Sequence, residues 1–472
     1  MGEASLKTRY KDNYATPAVS DDEKQLALIG LSDDGPMDKF YSFVGMSGLK
    51  NAETLFGTGG RLPHAIREAI EASVNNEKPI TVNAMRVGAS AVKASRTLLS
   101  GAAVSLMKIE ADYKGTDGND WDVKVDIDAP NMVVSLRYGE SGTASQFTGP
   151  TIDYIVNDST YGINASSLAV TATKIAEGTL AELAWSDFTG GLSGTLTNAE
   201  LIRALGLAED TDYPNIMVLG TQNIPVLNTH CVSQLTDRQV ERYAAVEMAD
   251  FDSTNEENTA AWLDDIETYV SSCESGSESL DYRNIMIFIG QAVFLDADGE
   301  EYEANIASAC MGAWLGNAVH RSMINQQVKT VQSLVPKFPP SYRDRLTVAR
   351  FNYIRYQKGR GWIIGNSNTF AASTSDFTDA ETLRAIYTCG SEARESAMPI
   401  WGTPDDPIEH SGLSTLKTYM GKPLDKRVGK TIVDYEIEPT IDDDTGEVTA
   451  RMGVRPYNTM KTIDHVVYRK RS

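Results

Sequence analysis

No stretch of this sequence is apolar for long enough to cross a bilayer. The longest, NIMIFIGQAVFL at 284–295, falls well short of the roughly 20 residues a spanning helix needs. Positive charge is scarce too: 43 Lys and Arg stand against 65 Asp and Glu, a net charge of −22. Such a chain has few spare cations to displace counterions from phosphate, which argues against unaided nucleic-acid binding and against docking on an anionic membrane. It also creates a repulsion to be overcome wherever copies pack together. There are four cysteines, Cys231, Cys273, Cys310 and Cys389, and no CxxC pair. Cys231 follows His230 directly, but adjacent side chains rarely converge on one ion, so buried thiols in a reducing compartment are expected and no metal site is. The start, MGEASLKTRYKDNY, carries no signal-peptide core, and Leu6 stands where a myristoylation signal wants Ser or Thr. The expectation is a soluble protein made in the cytosol.

Catalytic signatures are missing as well. There is no GxSxG and no HExxH, and His64, His230, His320, His410 and His465 share no zinc-type spacing. His320 follows the stripe Met311, Trp314, Leu315, Ala318 and Val319, which predicts a histidine on a helix surface. The glycine-rich TGGLSGTLTNAELIRALG at 189–206 has the look of a phosphate cradle at a helix start. It lacks the Lys of a Walker loop and the spacing of GxGxxG. Thr197-Asn198-Ala199-Glu200 reads instead as a capping box, with Thr and Glu reciprocally satisfying free N–H groups. No cofactor is expected. DADGEEYE at 296–303 lacks the EF-hand spacing and reads as a solvated turn; DDDTG at 442–446 lies between two alternating runs and reads as a hairpin loop.

What the 472 residues do contain, 41% of them hydrophobic, is material for about three domains. Residues 1–22 are polar, with Lys7, Arg9 and Lys11, and read as a tail with no core of its own. KQLALIGLSDDGP predicts a buried strand closed by a turn. LPHAIREAIEASV predicts a helix with Ile66, Ile70 and Val74 on one stripe, and PITVNAMRVG another strand, together a small α/β layer. From about 105 to 190 the texture becomes β-rich: WDVKVDI alternates strictly, with Trp121, Val123, Val125 and Ile127 on one face, and NMVVSLRY, SLAVTATKI and LAELAW follow. This stretch begins and ends inside α/β sequence, as an insertion would. Beyond it, YPNIMVLG predicts a strand and LTDRQVERYAAVE a helix ending before another strand; residues 251–303 are strongly acidic.

The order of these segments resembles the tail sheath proteins of contractile phages and related injection machines, over nearly the whole chain. LALIGLSDDGPM, ETLFGTGGRLPHAIREAI and ITVNAMRVG are similar to the family's opening strand, FG turn, helix and Arg-ended strand. IEADYKGTDGNDWDVKV resembles its glycine–asparagine signature, and FTGGLSGTLTNAELIRAL its GG segment before a helix. LTVARFNYIRYQKGRGWIIGNSNTF, with the helix after it, resembles the family's core. Asn368 stands where the family usually has Arg before Thr369, and IYTCGSEAR offers only Arg394 in place of paired arginines.

The resemblance implies a mixed α/β multidomain fold with α/β core layers, an inserted β-rich module and extended terminal arms. The divisions would be an N-terminal arm at 1–22, core at 23–105, outer insertion at 106–192, core again at 193–395, a tube-facing inner domain at 396–458 and a C-terminal arm at 459–472. It implies a structural, non-enzymatic subunit forming stacked rings or a multi-start helix around a tail tube, in contact with baseplate and terminator proteins. Such subunits belong to the virion tail and are assembled in the host cytoplasm. Leu6, Thr8, Tyr10 and Tyr14 would belong to one arm. Ile463, Asp464, His465, Val466, Val467 and Tyr468 would belong to the other, and they alternate as a strand that either completes a neighbour's sheet or ends its own domain. The helix LSTLKTYMG and its surroundings would face the tube through Leu416, Lys417, Tyr419, Lys422, Lys426 and Arg427. The basic residues there, with Lys430, Arg469, Lys470 and Arg471, either meet acidic partners or form a solvated face. A bacteriocin-type sheath, and in another class an α/β enzyme with a β-rich binding domain, stand as alternatives.

Overall fold

The computed structural model describes residues 24–74, 79–248, 258–275, 282–372, 375–400, 411–441 and 448–457. β1 (Gln25–Gly30) is the predicted apolar strand, buried at every position after Gln25. β2 (Phe40–Val44), α1 (Gly45–Phe56), α2 (Arg61–Val74) and β3 (Thr81–Arg86) follow. Ile66 and Ile70 are fully buried on α2, whereas Val74, at its end, is exposed. Neither β2 nor α1 was apparent in the sequence, because FYSFV is short and α1 carries Gly45 and Gly48, poor helix formers.

After β3 the chain leaves the core for β4 (Lys93–Leu99), β5 (Ser105–Lys114), β6 (Trp121–Asp128), β7 (Asn131–Tyr138), β8 (Ser145–Gly149), a short α3 (Ile152–Asn157), β9 (Val170–Lys174) and β10 (Leu183–Asp187). They make a three-stranded sheet, β4-β5-β9, and a four-stranded one, β10-β6-β7-β8. Trp121, Val123 and Val125 are buried between them, with Ile127 packed against the same cluster, as the alternation of WDVKVDI requires. β4 lies upstream of residue 106; only its Ala94 and Leu98 are buried, so its own pattern is faint. The neck of this excursion is paired across Ala89–Thr195, Val92–Leu192 and Ser95–Thr189. Asp33, just after β1, ties it to the core: its carboxylate accepts from Ser193 Oγ at 2.7 Å and its carbonyl from the Asp117 N–H.

Back in the core come α4 (Asn198–Ala208), β11 (Asn215–Val218), α5 (Ile224–Asp237), β12 (Tyr243–Glu247), α6 (Thr259–Ser275) and β13 (Ile285–Phe288). The central sheet has the order β13-β12-β11-β1-β3-β2, parallel except for β2. A parallel sheet needs cover on both faces, and alternate residues divide accordingly. Leu26, Leu28, Met217 and Met286 face one cluster; Ala27, Ile29, Ile216, Val218 and Ile285 face the other. The stretch LTDRQVERYAAVE is therefore not a helix: only Leu235–Asp237 end α5, Gln239 turns the chain with φ +58, and all five residues of β12 are buried in mid-sheet. Burial in the sheet overrides the helical spacing. The acidic region, in turn, holds the 17-residue α6.

β14 (Gln291–Leu295) and β15 (Glu301–Asn305) form a hairpin, joined by β16 (Ser333–Val335). The turn at Asp296 is self-satisfied, its carboxylate accepting from the N–H groups of Asp298 and Glu300. α7 (Ala307–Leu315) is buried all round, as a core helix must be. It stops at Leu315, so His320 sits in the turn beyond the helix rather than on its surface. α8 (Pro340–Val348), β17 (Ile354–Gln357) and β18 (Gly361–Ile364) lead to α9 (Ala380–Ala397), α10 (Ser411–Asp425), β19 (Ile432–Ile441) and β20 (Val448–Pro456). β19 and β20, the alternating runs on either side of DDDTG, pair antiparallel as the sequence predicts, while DDDTG itself lies outside the described residues. They share a small core of Cys389, Ala393, Leu424, Ile432 and Ile437 with the two helices. All four cysteines are buried free thiols.

α2 and α7 cross so closely that a Cβ on Gly312 would lie 2.1 Å from the Ala69 carbonyl oxygen. Gly312→Ala must force the helices apart, and we expect a loss of about 3 kcal/mol, at the upper end of overpacking effects. A urea unfolding curve unchanged in midpoint would contradict this packing.

Candidate functional site

In open α/β sheets, ligands sit beyond the carboxyl ends of the parallel strands. Here that position is filled by the chain's own charges. Arg61, at the start of α2, donates to Glu68 through Nη1 and Nη2 at 2.7 and 3.1 Å, and to Glu247, the last residue of β12, through Nε and Nη2 at 3.1 and 2.5 Å. Its Nη2 also reaches Ser308 Oγ on α7 and the Asn305 carbonyl. Glu247 accepts from the Gly220 N–H beyond β11, and Tyr302 donates to Glu68 at 3.2 Å while stacking on His64. Two carboxylates share one guanidinium, and the Glu68 side chain has no exposure at all. Burial therefore pushes the Glu68 carboxyl up to about 7 against the opposing pull of Arg61. His64 is held below its ordinary value by burial and by Arg61. Deeper in the fold, His230 bonds Arg242 at 2.8 Å and is pushed down to about 3, chiefly by burial. It is a packed partner of the arginine, not a ligand beside Cys231.

The glycine-rich stretch before α4 is a turn and a cap. Thr197 Oγ1 accepts from the Glu200 N–H at 3.2 Å, but the box is not reciprocal. Glu200 turns away to accept from the Gly88 N–H at 2.9 Å and to pair with Arg203. Its carboxylate thus staples α4 to the neck of the β-rich excursion, and it places negative charge where a phosphate would have to sit.

The C-terminal unit, by contrast, is open. β19 and β20 pair along nine registered positions and, among the described residues, with no third strand; beyond the bridge of Ile432 to Val428, no strand lies along either outer edge there. One face carries Tyr435, Ile437, Met452 and Val454 onto α9 and α10. The other carries Asp434 opposite Arg455 and Glu438 opposite Arg451. An isolated hairpin is marginal; packing on two helices steadies this one without covering its edges. Tyr435 donates to Asp425 at 2.6 Å, and that bond raises its hydroxyl to about 12.

Of the residues singled out for tube contact, Lys417, Lys422 and Lys426 are exposed, and Leu416 and Tyr419 are half-buried. The Lys422 ammonium lies 4.1 Å above the Tyr419 ring, three residues away on α10. Arg427 behaves differently: it makes a bidentate pair with Glu392 of α9 at 2.6 and 2.5 Å and is largely enclosed. Arg394 likewise pairs with Glu241 and not with an outside partner. Leu6, Thr8, Tyr10, Tyr14 and Ile463–Tyr468 lie outside the described residues. Sequence reasoning missed Arg61, Glu68 and Glu247, whose partnership spans 186 residues of chain. The only local hint was an arginine placed just before a helix that is otherwise apolar on its inner stripe.

Because the folded value of Glu68 lies above its ordinary 4.5, the native state holds a proton that the unfolded chain gives up. Its contribution is complete at low pH and is lost as pH rises through about 7. Glu68→Gln should flatten this part of the stability profile between pH 4.5 and about 7, read from urea midpoints; equal slopes in both proteins would rule the assignment out.

None of the known protein families matches this sequence, and neither does any curated protein. Solved structures do match, at low identity and almost full length. The sheath tail protein of Desulfitobacterium hafniense is similar with a TM-score of 0.65 and 14% identity, over 95% of this chain and 100% of that one. The sheath tail protein of Listeria innocua gives 0.59 and 14%, over 92% of each chain. The contracted helical sheath of the anti-feeding prophage gives 0.53 and 9%, over 99% of this chain and 100% of that one. With its central parallel sheet, β-rich excursion and C-terminal hairpin unit, this chain has the fold of the sheath proteins of contractile phage tails and injection systems.

Proposed function

We propose that this protein is the structural subunit of a contractile sheath. It polymerises around a tail tube in a long state, then shortens and widens to drive the tube through a target envelope during genome delivery. The observation that carries the reading is the full-length match in fold to sheath proteins, at a TM-score of 0.65. The open hairpin supports it. Its outer edges, unpaired with a third strand among the described residues, are templates for strand addition, and the sequence segments 1–22 and 459–472 would supply the added strands. A strand of about five residues gains roughly 1 kcal/mol net per backbone bond. Each link would then hold several kcal/mol while more polar faces slide.

Within this reading, residues 396–458 form the inner domain, and Leu416, Lys417, Tyr419, Lys422 and Lys426 face the tube. Arg427 is left out because it is committed to Glu392. Residues 106–192, with β4 joined to them, face outward. The lysines suit an acidic partner surface, which a body of net charge −22 does not repel at that one place. Baseplate and terminator proteins would cap the two ends of the assembly in a virion tail built in the host cytoplasm. A bacteriocin-type injection system would use the same subunit in the same way.

Negative-stain electron microscopy tests the proposal, with the full chain beside a version ending at Asn458. We expect striated hollow tubes from the full chain, alone or with tail tube added, and folded unassembled particles from the shortened one. Dispersed particles from the full chain in the presence of tube protein would overturn the proposal.

A further inference from the structure

The β-rich excursion carries a feature to which the proposed function assigns no role. β8 is the edge strand of its four-stranded sheet. Between its outer side and the turn after α3 lies a groove of about 320 Å3, lined by Gln146, Phe147, Thr148, Thr160, Tyr161 and Ser166, with Gly162 beneath. That volume is at the lower end of the roughly 300–1,000 Å3 of small-molecule sites. In a chain with 23% charged residues, none of these lining residues carries a charge. Strand alternation sends Phe147 into the core and places Gln146 and Thr148 side by side on the exposed face.

Tyr161 stands over this row with 66% of its surface exposed. Exposed aromatics are usually held loosely, but the backbone under this one is fixed. Asp158 Oδ1 accepts from the N–H groups of Thr160 and Tyr161 at 3.0 and 2.7 Å, and the Asp158 carbonyl accepts from Gly162 N at 3.0 Å. The turn closes so tightly that a Cβ on Gly162 would lie 2.7 Å from Asp158 N and O. The Asp158 carboxylate is thereby engaged by the turn through Oδ1. Ser166 is also committed, donating to the Ile163 carbonyl at 2.6 Å.

We infer that this groove is a binding site for a neutral carbohydrate, with Tyr161 as the stacking platform and Gln146, Thr148 and Thr160 as hydrogen-bonding partners. A sugar ring presents an apolar C–H face and a rim of hydroxyls that both donate and accept. A preformed aromatic face beside amide and hydroxyl groups of the same dual capacity matches both. The lining offers no charged side chain to a charged ligand, and a turn whose backbone is already ordered lowers the ordering cost of binding. The site lies on the excursion and not on the hairpin unit, so it does not depend on the sheath proposal.

The test is saturation-transfer NMR and calorimetry on the full chain with maltohexaose, cellohexaose and chitohexaose. Binding of at least one is expected, weakened about tenfold or more in Tyr161→Ala and kept near the parent value in Tyr161→Phe, which retains the ring. Tyr161 is exposed, so both variants should keep the parent circular dichroism spectrum. No transfer to any of the three oligosaccharides, or equal affinity in Tyr161→Ala, would refute the assignment.

Discussion

A single guanidinium holds the core's distant parts in register. Arg61 bonds to residues 186 and 247 positions further along the chain, so α2, β12 and α7 cannot take their places independently. Breaking such a buried pair costs about 3–5 kcal/mol, because the charge left behind has no solvent to turn to. Two carboxylates around one cation is an unbalanced arrangement, and the protein accommodates it by surrounding Glu68 with a tyrosine hydroxyl and by giving Glu247 a backbone N–H. The neighbouring crossing of α2 and α7 brings Gly312 close against Ala69, so the two helices that carry Arg61, Glu68 and Ser308 are held at a fixed distance.

This arrangement inverts the usual use of a parallel α/β sheet. Part of the crevice beyond the strand ends, which such sheets leave open for ligands, is filled by Arg61, Glu68, Glu247 and Ser308. The openness has moved to the C-terminal hairpin, whose strands pair with no third strand among the described residues. A free edge is a hazard for a solitary protein and a connector for one that assembles. Charge follows the same division. Arg394 and Arg427 of the C-terminal helical layer pair internally with Glu241 and Glu392, while Lys417, Lys422 and Lys426, with strongly hydrated ammonium groups, remain exposed.

The β-rich excursion is attached with unusual economy. Three bridges close its neck upon itself, and the Glu200 carboxylate on Gly88 with the Asp33 contacts to Ser193 and Asp117 join it to the core. Its own hydrophobic cluster, from Ala94 to Phe188, is separate from the clusters of the core. A module with its own core can vary its outer surface without disturbing the sheet that carries it.

The sequence by itself determined the elements whose pattern is local. QLALIG, WDVKVDI and the alternating runs around DDDTG announced their strands, and the 3.6-residue stripe of Ile66 and Ile70 announced α2, because burial on one face leaves a periodic record. The order of those segments also sufficed to resemble the sheath family. What only the tertiary structure decided is where periodicity was silent or misleading. RYAAVE carries a helix-compatible pattern yet is a mid-sheet strand, since its neighbours on both sides are other strands and its environment is uniform. Glu200 looked like a capping partner and became a staple to Gly88, a residue more than a hundred positions away. Arg427 looked like a surface cation and closed on Glu392. The choice of partner for a long charged side chain is made by three-dimensional proximity and by the cost of leaving it unpaired, neither of which is written in the residues beside it.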